Sequence, residues 1–233
     1  MVVNKRNIEF DQKGFSLLEV LIALAVLGIV LTGVVKMFTT TGRFHTSQER
    51  IVETMDTIRA VKQLMIDEIR SAGCNPKDKR AIGFINDAGG DERFDTDADS
   101  IHFTRDIDNG DNDQLFEPDG DADDPNENIA YFRGTSPALA DRLSATDSTP
   151  GILYRTSFGA TGFNSQPVAD HITALQFRYF DSLGTEITNP GITDLGKIKL
   201  VEVTLTGQVA NTTQVTTANR TWTQQFRVRV RNL

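Results

Sequence analysis

Only one cysteine, Cys74, occurs in the chain, which excludes an intrachain disulfide and a multi-cysteine metal site. Its place just past a helix-like stretch reads as a small, partly buried residue, with a bond to another chain as the alternative. Histidine is nearly as scarce: His45, His102 and His171 stand alone, without a nucleophile or a metal-ligand spacing around them. No phosphate-binding glycine loop is present either, so the residues give no support for an enzyme. A basic stripe is also missing. With a net charge of −8 and a pI near 4.9, nucleic acid is not an expected partner, because phosphate binding needs clustered Lys and Arg.

Lysine and arginine are absent from Phe15 through Val35, and this gap coincides with the most apolar stretch of the sequence. The preceding residues 1–14 are short and polar, with Lys5, Arg6 and Lys13 against Glu9 and Asp11, and read as a leader. Val20 to Val35 are sixteen uncharged residues, and the 21 from Phe15 would make about 31 Å of helix, enough to cross a bilayer. Lys36 at the far end can snorkel to the interface. A cleaved secretory signal, with Ala23-Leu24-Ala25 as its small-x-small site, would leave ten apolar residues exposed on a secreted protein. A plain uncleaved anchor leaves Glu19 unexplained, since a carboxylate at mid-bilayer costs about 3 kcal/mol on insertion scales.

Beyond the apolar run, Phe44, Ile51, Met55, Ile58, Met65 and Ile69 recur at spacings of three, four and seven, which predicts one apolar stripe on a helix. Glu49, Arg50, Glu53, Arg59, Lys62, Asp67 and Arg70 fall largely between them. "SAGCNP" predicts the end, with Gly73 in the left-handed position and Pro76 barring continuation. The organisation expected is a leader over 1–14, a spanning helix over 15–37, an amphipathic helix over 38–73 and a β-rich domain over 74–233. Gly28, Gly33 and "TTTGR" are the points at which the helix is weakest.

The strands are predicted at "AIGFIN", "SIHFTR", "NIAYFR", "GILYRTS", "HITALQFRYFD", "GKIKLVEVTLTGQV" and "TWTQQFRVRVR", rich in β-branched and aromatic residues and bounded by Gly, Pro, Asn or Asp. In the last, Trp222, Phe226, Val228 and Val230 alternate with arginines, which predicts one buried face. The alternation slips at Leu200-Val201 and at Ala174-Leu175, where β-bulges are expected. An antiparallel sheet laid on the amphipathic helix gives an α+β fold.

With these residues in place, "KGFSLLEVLIAL" resembles the type IV prepilin leader. The resemblance implies that prepilin peptidase cuts between Gly14 and Phe15, that Phe15 is then N-methylated, and that Glu19 is the glutamate five residues into the mature chain. "VKQLMIDEIRSAGC", "ILYR", "ALQFRYFD" and "FRVRVRNL" are similar to segments of PilW-type minor pilins and of J-type minor pseudopilins of type II secretion. A type IV pilin-like fold is implied over most of the chain. Lys36 stands where many major pilins carry a kinking proline, so no kink is expected there.

Elementary electrostatics gives Glu19 a matching task. A new α-amine has a reference pKa of about 7.7–8.0 and is mostly cationic at neutral pH. The expectation is that Glu19 pairs with the N-terminal amine of a neighbouring subunit as the protein leaves the membrane for a filament. The function implied is that of a minor pilin that primes or enters a type IV pilus. Its partners would be other pilin and minor pilin subunits, prepilin peptidase, the inner membrane and the pilus assembly platform. It would cross the inner membrane once, with its C-terminal domain periplasmic before assembly and on the pilus or cell surface afterwards. The alternatives are a minor pseudopilin and a Ca²⁺-dependent adhesive module on a pilin anchor.

Residues 91–127 hold fifteen Asp and Glu against Arg93 and Arg105, a local charge of −13 that leaves +5 for the rest. Asp95, Asp97 and Asp99 have the one-three-five spacing of oxygen-loving Ca²⁺ sites, with Asp106 in the place of the terminal Glu and Ser100 in that of the loop glycine. A second candidate set is Asp106, Asp108, Asp111, Asp113 and Glu117, and a third is Asp119, Asp121, Asp123 and Asp124. The alternative is a solvated loop kept extended by its like charges. Ca²⁺ is thus the one candidate cofactor.

Overall fold

The computed structural model describes residues 14–77, 83–86, 95–107, 118–122, 124, 126–137, 141–159, 162–209 and 220–233. They fall into two units, Met1–Ser47 and Gln48–Leu233. A single helix, α1 (Leu17–Ser71), runs unbroken through Gly28, Gly33 and the threonine-rich stretch. In the first unit the hydroxyls of Thr32, Thr39 and Thr46 donate to the carbonyls of Gly28, Lys36 and Gly42, which satisfies those polar side chains on the helix itself.

In the second unit one antiparallel sheet is built from β1 (Ser100–Thr104), β2 (Asn128–Gly134), β3 (Gly151–Gly159), β4 (Gly162–Phe180), β6 (Leu200–Val209) and β7 (Arg220–Arg229), adjacent in that order. The two-residue strand β5 (Glu186–Ile187) pairs with the end of β4. The helical stripe of Ile58, Val61, Met65, Ile69 and Ala72 is buried against Phe103, Tyr131, Phe177, Val203, Val228 and their neighbours. This is the α+β arrangement of a long N-terminal helix packed on an antiparallel sheet, consistent with the type IV pilin-like fold. Gly207 lets helix and sheet approach closely, since a Cβ there would sit 2.5 Å from Ile58 Cδ1.

The helix ends as its residues dictate. Gly73 takes φ +76°, and its N–H donates to Thr104 O at 2.9 Å, tying the helix end to β1. Half-buried Cys74 follows, and its carbonyl accepts the Asp106 amide at 2.8 Å.

Several expectations need correction. "AIGFIN" gives no strand among the described residues, only a bridge between Phe84 and Phe103. There is no bulge at Leu200-Val201, because β6 pairs continuously with both neighbours and Leu200 simply opens the strand on the other face. Against β6 the irregularity in β4 falls between Ile172 and Ala174 rather than at Ala174-Leu175, just after His171 with φ 57°, and against β3 the register shifts again between Pro167 and Ile172. Trp222 shares a face with Phe226 and Val228 but remains 36% exposed, opposite Gly207. Phe44, the first member of the expected stripe, lies in the first unit and is 47% exposed.

Candidate functional site

The start of α1 is a reciprocal cap. Ser16 precedes the first helical residue, and its Oγ accepts the Glu19 amide at 3.2 Å while Glu19 Oε2 accepts the Ser16 amide at 2.8 Å. Two N–H groups that a helix start leaves unsatisfied are thereby covered by the S-x-x-E pattern. Glu19 therefore has a partner within its own turn, a role that attention to charge alone had missed and that the serine three residues before it reveals. Glu19 Oε1 accepts no hydrogen bond among the described residues.

Gly14 and Phe15 lie just outside the helix, with Phe15 88% exposed. The side chains of Leu17, Leu18, Leu21, Ile22, Leu24 and Ile29 are likewise exposed, so the apolar surface has no partner within its unit. α1 contains a stretch long and apolar enough to cross a membrane, none of it buried.

The acidic segment separates into different environments. Asp97 is held by Arg142 at 3.0 Å, and its Oδ1 also accepts the amides of Asp99 and Ser100. Asp99 Oδ1 accepts the Ala145 amide at 2.6 Å. Protein donors thus take up the Asp97 and Asp99 carboxylates of the Asp95, Asp97, Asp99 set, where they fasten the turn before β1. Asp108, Asp111, Asp113, Glu117 and Asp123 lie outside the described residues. Asp119, Asp121 and Asp124 are brought together, each with a carboxylate oxygen within 4.8 Å of the others. Asp106 is fully buried beside them: its Oδ1 accepts the Asp119 amide at 3.1 Å, and burial raises its carboxyl above the usual range.

The sequence reading also missed Glu68, a buried carboxylate on the packed face of α1. Arg155 of β3 grips it at 2.7 Å, Arg105 reaches it at 3.4 Å, and the Tyr131 hydroxyl donates to its other oxygen. Burial holds Arg105 below the usual arginine range, and its longer bridge does not offset that. For Arg155, burial pulls the same way but the closer bonds to Glu68 leave it raised. Burial and the Glu68 charge push the Tyr131 phenol up, so it remains a neutral donor. Position 68 lies three after Met65 and four before Ala72, and that spacing was the available signal.

The histidines form no shared site. His102 is buried on β1 with its Nε2 at 2.6 Å from Asn128 Oδ1, whereas His45 and His171 are exposed.

Comparison with known proteins bears on the helix start. The family described as the prokaryotic N-terminal methylation motif matches residues 10–35, which include Gly14, Phe15 and Glu19. This is the prepilin-type signal of pilins and pseudopilins, and it supports a type IV pilin-like protein and a structural subunit rather than an enzyme. The comparison with curated proteins found no match.

Proposed function

We propose that this chain is a minor pilin, cut between Gly14 and Phe15 by prepilin peptidase, methylated on Phe15, and incorporated into a type IV pilus or the complex that primes it. One observation carries the reading: a prepilin-type signal lies on a capped helix whose unpartnered apolar surface continues directly into the helix that anchors the sheet. Exposed apolar surface of this extent calls for lipid before assembly and for the apolar helices of other subunits after it.

The Ser16–Glu19 cap refines the role of the carboxylate. Oε2 serves its own helix, and Oε1 remains for the cationic amine of a neighbouring subunit. That bond would set axial register as the helix leaves the bilayer. Mass spectrometry of the native protein tests the processing: the expected mature chain begins with methylated Phe15. A chain that still carries residues 1–14 in assembled fibres would overturn the proposal.

A further inference from the structure

We infer that the outer edge of β7 accepts an extended acidic segment of a partner polypeptide, added as a further strand with carboxylates on alternate residues. β7 is the last strand of the sheet and pairs with β6 alone among the described residues. The Val230 N–H donates to Lys199 O at 3.0 Å, on the β6 side. Because main-chain groups alternate in direction along a strand, the even-numbered residues of β7 face β6, and Gln225, Arg227 and Arg229 turn their N–H and C=O groups outward. The Arg231 N–H also points outward: it reaches Arg70 O at 3.4 Å, so the end of α1 closes the edge just past Arg229. The stretch before it offers donors and acceptors with no main-chain partner among the described residues, the template that strand addition uses.

The side chains on that stretch select the partner. Phe226, Val228 and Val230 turn into the core, so Arg227 and Arg229 project from the opposite face at the two-residue period. A groove of about 1010 Å³ runs past them and takes in Arg70, Lys199 and Arg231. Its one acidic lining residue, Asp181, is already engaged, because its Oδ1 accepts the amides of Leu183 and Thr185. Arg70, Arg229 and Arg231 are exposed and form no ion pair among the described residues, while Arg227 turns its Nε to Glu202. Arginines on an edge repel a second copy of the same edge, so β7 is closed to pairing with itself and open to an anionic strand. In such a strand the residues opposite Arg227 and Arg229 share a face with the guanidiniums, within reach of charge-assisted bonds. No aromatic side chain lines the groove, so nucleobases would find nothing to stack on, which favours the carboxylates of a polypeptide over a nucleic acid. The sequence presents these arginines only as the outer side of an alternating strand; the fold joins Arg70, Lys199 and an open edge to them. The inference concerns the sheet alone and holds whether or not the leader is cut.

The test uses the full chain in a non-ionic detergent and the fluorescein-labelled peptide Thr-Asp-Val-Asp-Val-Asp-Thr, read by fluorescence anisotropy at low salt and by thermal melting. Saturable binding that weakens as salt rises is expected. The same peptide N-methylated at its aspartates keeps the charge but loses the donors that face the edge, and should bind about tenfold or more weakly. Arg229→Gln should weaken binding of the unmethylated peptide to a similar degree while melting like the parent chain, since Arg229 is exposed and has no ion-pair partner among the described residues. Absence of saturable binding at low salt, equal binding of the N-methylated peptide, or an oligothymidylate bound as tightly as the peptide would overturn the inference.

Discussion

Ser16 and Glu19 close each other's backbone groups at the first turn of α1, at 3.2 Å and 2.8 Å. The glutamate therefore has two separable jobs, one to its own helix and one, in the proposal above, to a neighbour. Glutamine keeps the capping geometry but carries no charge, and leucine keeps neither. Glu19→Gln is expected to insert in the membrane normally yet enter filaments poorly, and Glu19→Leu to do no better. Quantifying the chain in sheared pili against its membrane level checks this. Normal incorporation of Glu19→Gln would assign the residue to capping alone.

Glu68 should be among the most sensitive positions for stability, because removing it leaves Arg105 and Arg155 as uncompensated charges, each with a side chain only 11% exposed. Glu68→Gln is expected to destabilise the chain by about 3 kcal/mol or more. Adding Arg155→Met should cost less than the sum of the two single changes, since the second removes a charge that the first stranded. Urea denaturation of the detergent-solubilised variants reads both numbers, and strict additivity would contradict the pairing.

Acid should weaken the opposite face of the sheet through Glu202. Hydrogen bonds from Arg227 at 2.6 Å, and then Arg178 at 2.8 Å, hold this nearly buried carboxyl below its usual range although burial opposes them. A depressed carboxyl contributes stability above its unfolded pKa of about 4.3 and loses it as pH falls through the lower folded value. Melting temperature should therefore drop on acidification from about pH 5 to about pH 3, and Glu202→Gln should flatten part of that drop. Parallel curves for parent and variant would refute the assignment.

Gly73 offers a backbone test. Alanine there would have to adopt φ +76° and place its Cβ 2.6 Å from Leu233 Cδ2. Gly73→Ala is expected to cost more than about 1 kcal/mol, whereas Gly196→Ala, where nothing lies within 4 Å of the added carbon, should cost little. Thermal melts of the two variants side by side decide it.

Where local pattern and burial agree, the sequence was legible. Ile58, Met65 and Ile69 announced the packed face of α1 by spacing, and the alternation of β7 announced its inner residues. Glu68 was overlooked because a charge within a stripe reads as a gap, and Arg155, which compensates it, lies 87 residues away. The first half of β4 was overlooked for another reason: "FNSQPVAD" is polar and contains Pro167. It forms a strand because it pairs with β3, while pairing with β6 begins only at Ile172, so the missing proline N–H disrupts no second ladder. At the helix start the leader motif was plain, yet the cap was not, because Ser16 was read as part of the motif rather than as the helix's first acceptor.

Arg133 carries a quieter consequence. This fully buried side chain donates to the carbonyls of Ser144, Asp147 and Thr149 and more distantly to that of Ile172. These bonds are made to the main chain, so they follow its path rather than the side chains along it. Within Ser144–Thr149 the main chain is held by one guanidinium, while Arg142, earlier in the same connection, must stay for its ion pair with Asp97, so only part of this surface can be re-lettered without rebuilding.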